Sequence, residues 1–322
     1  MKKEDLRIVF LGTPEFAVES LSRIVDAGYN VVGVVTMPDK IAGRGHKLIS
    51  SAVKQYAVAN GLHLMQPEKL KAPEFVEELR SLRANLFVVI AFRMLPEVVW
   101  SMPELGTFNL HASLLPRYRG AAPINRAVMN GDTETGVTTF FLKQAIDTGD
   151  VLRQERIEIG PDEDAGSVHD RLMMLGADVT MDTIAHIVAG DLTPVPQDQL
   201  LQGEEPTAAP KIFKETCRMD WTLGAAALHN HVRGLSPYPA AWTVLKEPDG
   251  KETELMVFAT KLTDEATALP AGTLLPDSRR MAVATSDGRV LEVLSVRPAG
   301  RKRMDAPDFL RGARLPEGTS FV

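Results

Sequence analysis

Apolar and polar positions fall into two regimes along the chain. In roughly the first 190 residues, short unbroken apolar runs are followed by stretches with helical spacing. Residues 7–11 (RIVFL) predict a buried strand. Gly12 turns the chain, Thr13 is placed to cap a helix, and Pro14 suits a first helical position. Phe16, Leu21, Ile24 and Val25 then give that helix one apolar side, and Gly28 ends it. Residues 30–36 (NVVGVVT) predict the next strand. Apolar runs without alternation fit strands covered on both faces, so strand–helix–strand order predicts a parallel sheet between helices. The same pattern predicts helices over 51–60, 73–82 and 166–188, and strands over 86–91, 106–111 and 136–142.

The pattern changes after that. Residues 191–210 hold four prolines, several glutamines and little periodic apolar content, which predicts a linker crossing a surface. Beyond it a helix over 222–232 precedes short alternating segments at 241–245, 255–259, 272–275, 281–285 and 290–296, with Gly, Pro and Asp between them. Such spacing predicts a small β-barrel or sandwich. The expected organisation is an α/β domain over 1–190, a linker over 191–210 and a β-rich domain over 211–322.

Length and composition narrow the classes. At 322 residues and 44% hydrophobic content, the chain suits two globular domains and excludes wholesale disorder. The apolar run 86–92 is too short to cross a bilayer, and the stretch 8–11, preceded by Glu4 and Asp5, is too brief for a signal peptide. A lone cysteine, Cys217, forms no internal disulfide, so a reducing, cytoplasmic setting is expected. The formal charge of −6 is uneven: residues 211–322 carry 16 Lys+Arg against 14 Asp+Glu, leaving 20 against 28 in the first 210. Any polyanion must therefore meet local patches. Two exist: Lys40, Arg44, His46, Lys47 and Lys54 in one segment, and Arg297, Arg301, Lys302 and Arg303 near the end. Most charge runs are solvated surface, so these patches alone decide nothing.

Several common sites are missing. No G-x-G-x-x-G follows the first strand, and no P-loop, nucleophile elbow or H-E-x-x-H occurs. His229 and His231 flank one residue of a predicted helix, so they point different ways, which argues against a metal. What remains is residues 107–123, TFNLHASLLPRYRGAAP. Asn109 and His111 lie two apart at a strand end, so they share a face. The C-terminal ends of parallel strands are where open α/β sheets place ligands. An amide beside an imidazole can stabilise an oxyanion and manage a proton. Asp147, after the next strand, is a carboxylate able to orient or charge His111. A hydrogen-bonded structural histidine is the bland alternative, and the trio alone does not exclude it.

The motifs then add a resemblance. FLGTPEFAVESL (10–21), PDKIAGRGHKL (38–48), FNLHASLLPRYRGAAPINRAV (108–128), DTGD (147–150), APKI (209–212) with DW (220–221), and VRGLSPYPAAW (232–242) together resemble the methionyl-tRNA formyltransferase family over nearly the whole chain. The resemblance implies a Rossmann-like formyltransferase domain with a parallel-rich sheet, followed by a smaller OB-like β-barrel. It implies transfer of the formyl group of 10-formyltetrahydrofolate to the α-amino group of methionyl initiator tRNA, without a metal. Asn109, His111 and Asp147 fall on the family's catalytic positions, and Ser113, Leu114, Leu115 and Pro116 on its folate-contacting SLLP. Arg44, with Lys40 and Lys47 beside it, falls on the loop that meets the tRNA acceptor end. Arg301, Lys302 and Arg303 are the expected phosphate contacts of the second domain. Three departures stand out: Ile41 where proline is usual, Arg93 where many members have glycine beside the folate pocket, and Arg117 for a more common lysine.

The competing readings are a formyl-folate transferase acting on glycinamide ribonucleotide or an amino sugar nucleotide, and a folate- or tRNA-binding module without catalysis. The domain from Lys211 argues against the first substrate. Intact Asn109, His111 and Asp147 argue against the module. A cytoplasmic monomer without membrane attachment is expected.

Overall fold

A computed structural model describes residues 1–42, 47–201, 203, 205–276 and 279–322. The chain divides into two compact units. One comprises Met1–Gly120, Gly136–Ile157 and His169–Ala208; the other comprises Ala121–Thr135, Glu158–Val168 and Ala209–Val322.

The first unit begins with β1 (Arg7–Gly12), α1 (Glu15–Asp26), β2 (Asn30–Val35), the antiparallel pair β3 (Lys40–Ala42) and β4 (Lys47–Ile49), and α2 (Ala52–Ala59). It continues through β5 (Leu64–Met65), α3 (Pro73–Ser81), β6 (Leu86–Ile90), α4 (Glu97–Trp100), β7 (Thr107–His111) and the short β8 (Arg119–Gly120). After α5 (Pro123–Met129), a part of the second unit, come β9 (Glu134–Phe141), β10 (Val151–Glu158), α6 (Ala165–Ala189) and β11 (Ala208–Ala209). The large sheet has the order β10-β9-β7-β6-β1-β2-β5. β1 pairs in parallel with β2 and β6, β6 with β7 and β2 with β5, whereas β9 runs antiparallel to β7.

All five residues of β6 are buried, as a continuous apolar run predicts for a central strand. Val9, Leu11, Phe87 and Val89 face Met65, Phe75 and Leu79 in one core cluster. Ser51 caps α2 by accepting the Lys54 N–H at 3.0 Å. At α1 the expected cap is wrong: Pro14 occupies the cap position, and the buried Thr13 hydroxyl has no partner. α6 is long and apolar enough to span a bilayer by length and composition alone. It lies against the sheet at Gly176, where a Cβ would come within 2.7 Å of Leu110, and Thr183 meets Thr139 at 2.7 Å.

The chain runs from β1 outward to β2 and β5, then returns to place β6 on the other side of β1. The crevice beyond the C-terminal ends of β1 and β6 is thus the topological switch point of the sheet.

The second unit contains α7 (Ala225–Leu235), β12 (Ala241–Lys246), β13 (Glu252–Ala266), β14 (Met281–Ala284), β15 (Arg289–Pro298), β16 (Met304–Asp305), α8 (Ala306–Ala313) and β17 (Ser320–Phe321). The antiparallel order β14-β15-β13-β12-β17 is nearly a closed barrel, the OB-like form. Residues 272–275, expected as a regular strand, instead close it through isolated bridges: Thr273 pairs with Ser320 and Leu274 with Val283. Gly272 sits at φ 81°, and an added Cβ would strike the Phe321 carbonyl oxygen, so only glycine suits this corner. Leu228, Val232, Leu255, Val257, Leu291 and Val293 fill the core. Register shifts along β13 let one 15-residue strand curl around it.

Candidate active site

Asn109 and His111 both lie on β7, two residues apart and so on one face, opposite Phe140 and Thr138 of β9. His111 is buried, its side chain 8% exposed. Its Nε2 lies 2.8 Å from the Tyr118 carbonyl oxygen. A carbonyl only accepts, so Nε2 carries the hydrogen in either protonation state. In the neutral ring Nδ1 is therefore a lone-pair acceptor. It faces Asp147 Oδ2 at 3.9 Å, too far for a direct hydrogen bond but close enough for charge to matter. Phe140 meets the imidazole edge-on at 6.4 Å between centroids.

Asp147 is held from two sides. Its Oδ2 accepts the Gly120 N–H at 2.8 Å, and its backbone sits at φ 53°, the left-handed region that aspartate tolerates better than most residues. Its carbonyl accepts a hydrogen bond from the Gln197 amide at 2.9 Å. Gln197 lies in the stretch expected to be a linker, yet it is 4% exposed. Composition gave no signal for it.

Three buried polar atoms near the C-terminal halves of adjacent strands lack any hydrogen-bond partner: Thr13 Oγ1 after β1, Arg93 Nε after β6, and Asn109 Oδ1 in the middle of β7. These three strands are adjacent in the sheet. Buried polar groups are normally satisfied, so a row of unpaired ones at the switch point is capacity for a polar ligand. The Asn109 amide turned by 180° presents an N–H where its oxygen stands, so it can serve as donor or acceptor. Arg93, the departure noted in the sequence, is anchored by donating to the Pro67 and Glu68 carbonyls.

The other sequence candidates divide. Ser113 and Leu115 turn inward: the Ser113 hydroxyl donates to the Arg117 carbonyl at 2.6 Å, and Leu115 packs with Phe140 and Val151. Pro116 is also buried, and Leu114 alone of the four is partly exposed. Arg44 lies outside the described residues, as does the Lys47 side chain; Lys40 is exposed on β3. Arg301, Lys302 and Arg303 are all exposed, and Arg303 also lies 4.6 Å over Phe258 and donates to Ser295 Oγ at 2.8 Å. A basic–aromatic cluster in the second unit was not anticipated: Lys214 and Arg218 lie 5.2 and 5.5 Å over the Trp242 ring, and Lys211 lies 5.7 Å over the exposed Phe213. Cations stacked on aromatic rings are surfaces to which unpaired bases and phosphates bind. Among the described residues, no group of three His, Cys, Asp or Glu is placed to hold a metal. His229 bonds to Thr260 and Pro161, and His231 to the Cys217 carbonyl.

Residues 6–184 match the formyl transferase family model, and residues 211–314 match that of the formyl transferase C-terminal domain. A methionyl-tRNA formyltransferase of Bacteroides thetaiotaomicron is 54% identical over 319 residues, covering 99% of both chains. That of Parabacteroides distasonis is 55% identical over 315 residues, covering 97% of both. Among solved structures, the sugar 3N-formyl transferase WlaRD, determined with dTDP and 5-N-formyl-THF, superposes with a TM-score of 0.66 at 16% identity, covering 92% of this chain and 99% of that one. HypX from Aquifex aeolicus, in complex with tetrahydrofolic acid, gives 0.62 at 18% identity over 95% of this chain and 47% of its own. These last two share the fold. With relatives more than half identical from end to end, the chain belongs to the methionyl-tRNA formyltransferase family.

Proposed function

We propose that this chain transfers the formyl group of 10-formyltetrahydrofolate to the α-amino group of methionyl initiator tRNA in the cytoplasm, with Asn109, His111 and Asp147 carrying the chemistry. The observation that carries this reading is the buried imidazole whose Nε2 is committed to Tyr118 and whose Nδ1 is left facing a carboxylate, beside the unpaired Asn109 amide.

The chemistry follows from those atoms. Nδ1 takes the proton that the attacking amine loses, and Asp147 stabilises the resulting imidazolium. The Asn109 amide donates to the formyl oxygen as charge grows there. His111 then returns the proton to N10 of the departing folate. Thr13, Arg93 and Asn109 supply unpaired polar atoms that suit a ligand rich in donors and acceptors, and Leu114 supplies apolar contact. For the tRNA, Lys40, Arg44 and Lys47 serve the acceptor end. Arg301, Lys302 and Arg303 contact phosphates, joined by Lys211, Lys214 and Arg218. The chain acts as a monomer and needs no membrane.

The test is a substrate comparison. Purified protein with formyl-folate is offered methionyl initiator tRNA, a dTDP-linked amino sugar and glycinamide ribonucleotide. Formylation of the tRNA alone supports the reading; preference for either small amine overturns it.

A further inference from the structure

We infer that Gln197 is a positioning residue for the formyl transfer, fixing Asp147 opposite His111 from fifty positions further along the chain. The inference rests on the reading of Asn109, His111 and Asp147 given above. Gln197 Nε2 donates to two carbonyls of the same loop, Asp147 at 2.9 Å and Gly149 at 2.8 Å. Its Oε1 accepts from Arg119, with Nε at 3.1 Å and Nη2 at 2.7 Å. Both amide hydrogens and the amide oxygen are therefore used, and those partners fix which end is which, since carbonyls require the NH2 and the guanidinium requires the oxygen.

The scaffold around this amide is ordered by backbone. Val195, two residues earlier, exchanges both its N–H and carbonyl with Val151 at 2.8 Å, just beyond the 147–149 loop. Arg119 precedes Gly120, whose N–H holds the Asp147 carboxylate at 2.8 Å. The carboxylate and the backbone of Asp147 are thus tied to neighbouring residues, 119 and 120, one directly and one through Gln197. Asp147 occupies the left-handed region at φ 53°, a conformation that persists only where the surroundings impose it. Without Gln197, the loop loses the two donors that hold it there. The carboxylate, 3.9 Å from Nδ1, can then drift from the position where it stabilises imidazolium.

Gln197→Leu and Gln197→Glu separate this role from a merely structural one. The first removes all four hydrogen bonds, and the second keeps the Arg119 partner while placing a carboxylate against two carbonyls. Each is expected to lower kcat by about tenfold or more, with KM for both substrates changed by less than about threefold. In an Asp147→Asn background, either change should cost less than about twofold, because a residue acting through Asp147 has nothing left to position. Equal losses in the two backgrounds, or an unchanged kcat in the folded single variants, overturn the inference. If Gln197→Leu does not fold, the Gln197→Glu cycle decides alone. Normal kcat in Asp147→Asn by itself overturns the reading of the site, and this inference with it.

Discussion

His111 has one nitrogen committed and one available, and this division is set by a backbone carbonyl seven residues away. It makes the neutral ring a base at Nδ1, the atom nearer Asp147. Asp147→Asn preserves an oxygen for the Gly120 N–H but removes the charge that Nδ1 faces. Its kcat is expected to fall by about 10²-fold or more, the scale of a positioned acid–base pair, with folate affinity retained. Asn109→Ala should lose about 10²–10³ in kcat, as removing one oxyanion donor does. Steady-state kinetics and formyl-folate titration check both; an intact kcat in either variant removes that residue from the chemistry. The residue types and their placement were legible in the sequence: two polar residues at a strand end and an aspartate after the next strand. The tautomer, the inward turn of Ser113 and the part played by Gln197 were not. Each depends on a backbone carbonyl or amide brought in by tertiary structure, which no side-chain pattern records.

At the scale of elements, the loop after β9 turns so closely that Gly149 admits no side chain: a Cβ would overlap the Phe141 carbonyl oxygen. Backbone cannot yield as a flexible side chain can. Gly149→Ala is expected to cost about 1–3 kcal/mol of stability by overpacking and to lower kcat by displacing Asp147. Thermal melts and turnover measured together check this, and a variant with unchanged melting and kcat contradicts it. Apolar runs made β1, β6 and β7 readable, because strands buried on both faces leave no alternation to misread; β2, buried only over 33–35, was carried by its run of valines. β10 escaped because it is an edge strand whose last six residues, 153–158, are mostly polar and none of them buried. α8 escaped because it is short: its periodicity is strong, with Phe309 and Leu310 packed against the core, but eight residues make little more than two turns. Residues 272–275 were read as a strand because their apolar content is real, but their pairing is divided between two edges of the barrel.

For the molecule as a whole, the charge imbalance in the sequence is answered by local clusters, with Lys211 over the exposed Phe213, and Lys214 and Arg218 over Trp242, in the stretch 211–322, whose sequence is net positive. Stability should carry the mark of two histidines of that unit. Burial pushes the pKa of His229 down, against the opposing influence of the Pro161 carbonyl and Asp162; burial likewise lowers that of His231, against the Cys217 carbonyl and Asp220. The neighbouring cations Arg233 and Arg126 work in the same direction as burial. The unfolded chain, with histidines near 6.5, then binds more protons than the folded one as pH falls through about 6.5, so stability drops on acidification. Asp220 and Asp287, held below the usual carboxylate range by hydrogen bonds from Thr222 and Thr285, weaken only at lower pH, below about 4. Melting temperature should therefore be lower at pH 5.5 than at pH 7.5, and the difference should shrink in a His229→Asn, His231→Asn double variant. A flat or rising trend toward acid contradicts the assignment.

If His111 manages the proton, its removal must show at the chemical step. In single-turnover experiments, saturating enzyme loaded with 10-formyltetrahydrofolate is mixed with methionyl initiator tRNA and formyl transfer is followed directly. The His111→Ala variant should fold and bind both substrates, yet transfer at least about 10²-fold more slowly than the unaltered protein. Transfer at the unaltered rate would mean that the proton is managed elsewhere and that this buried imidazole only holds the turn at Tyr118.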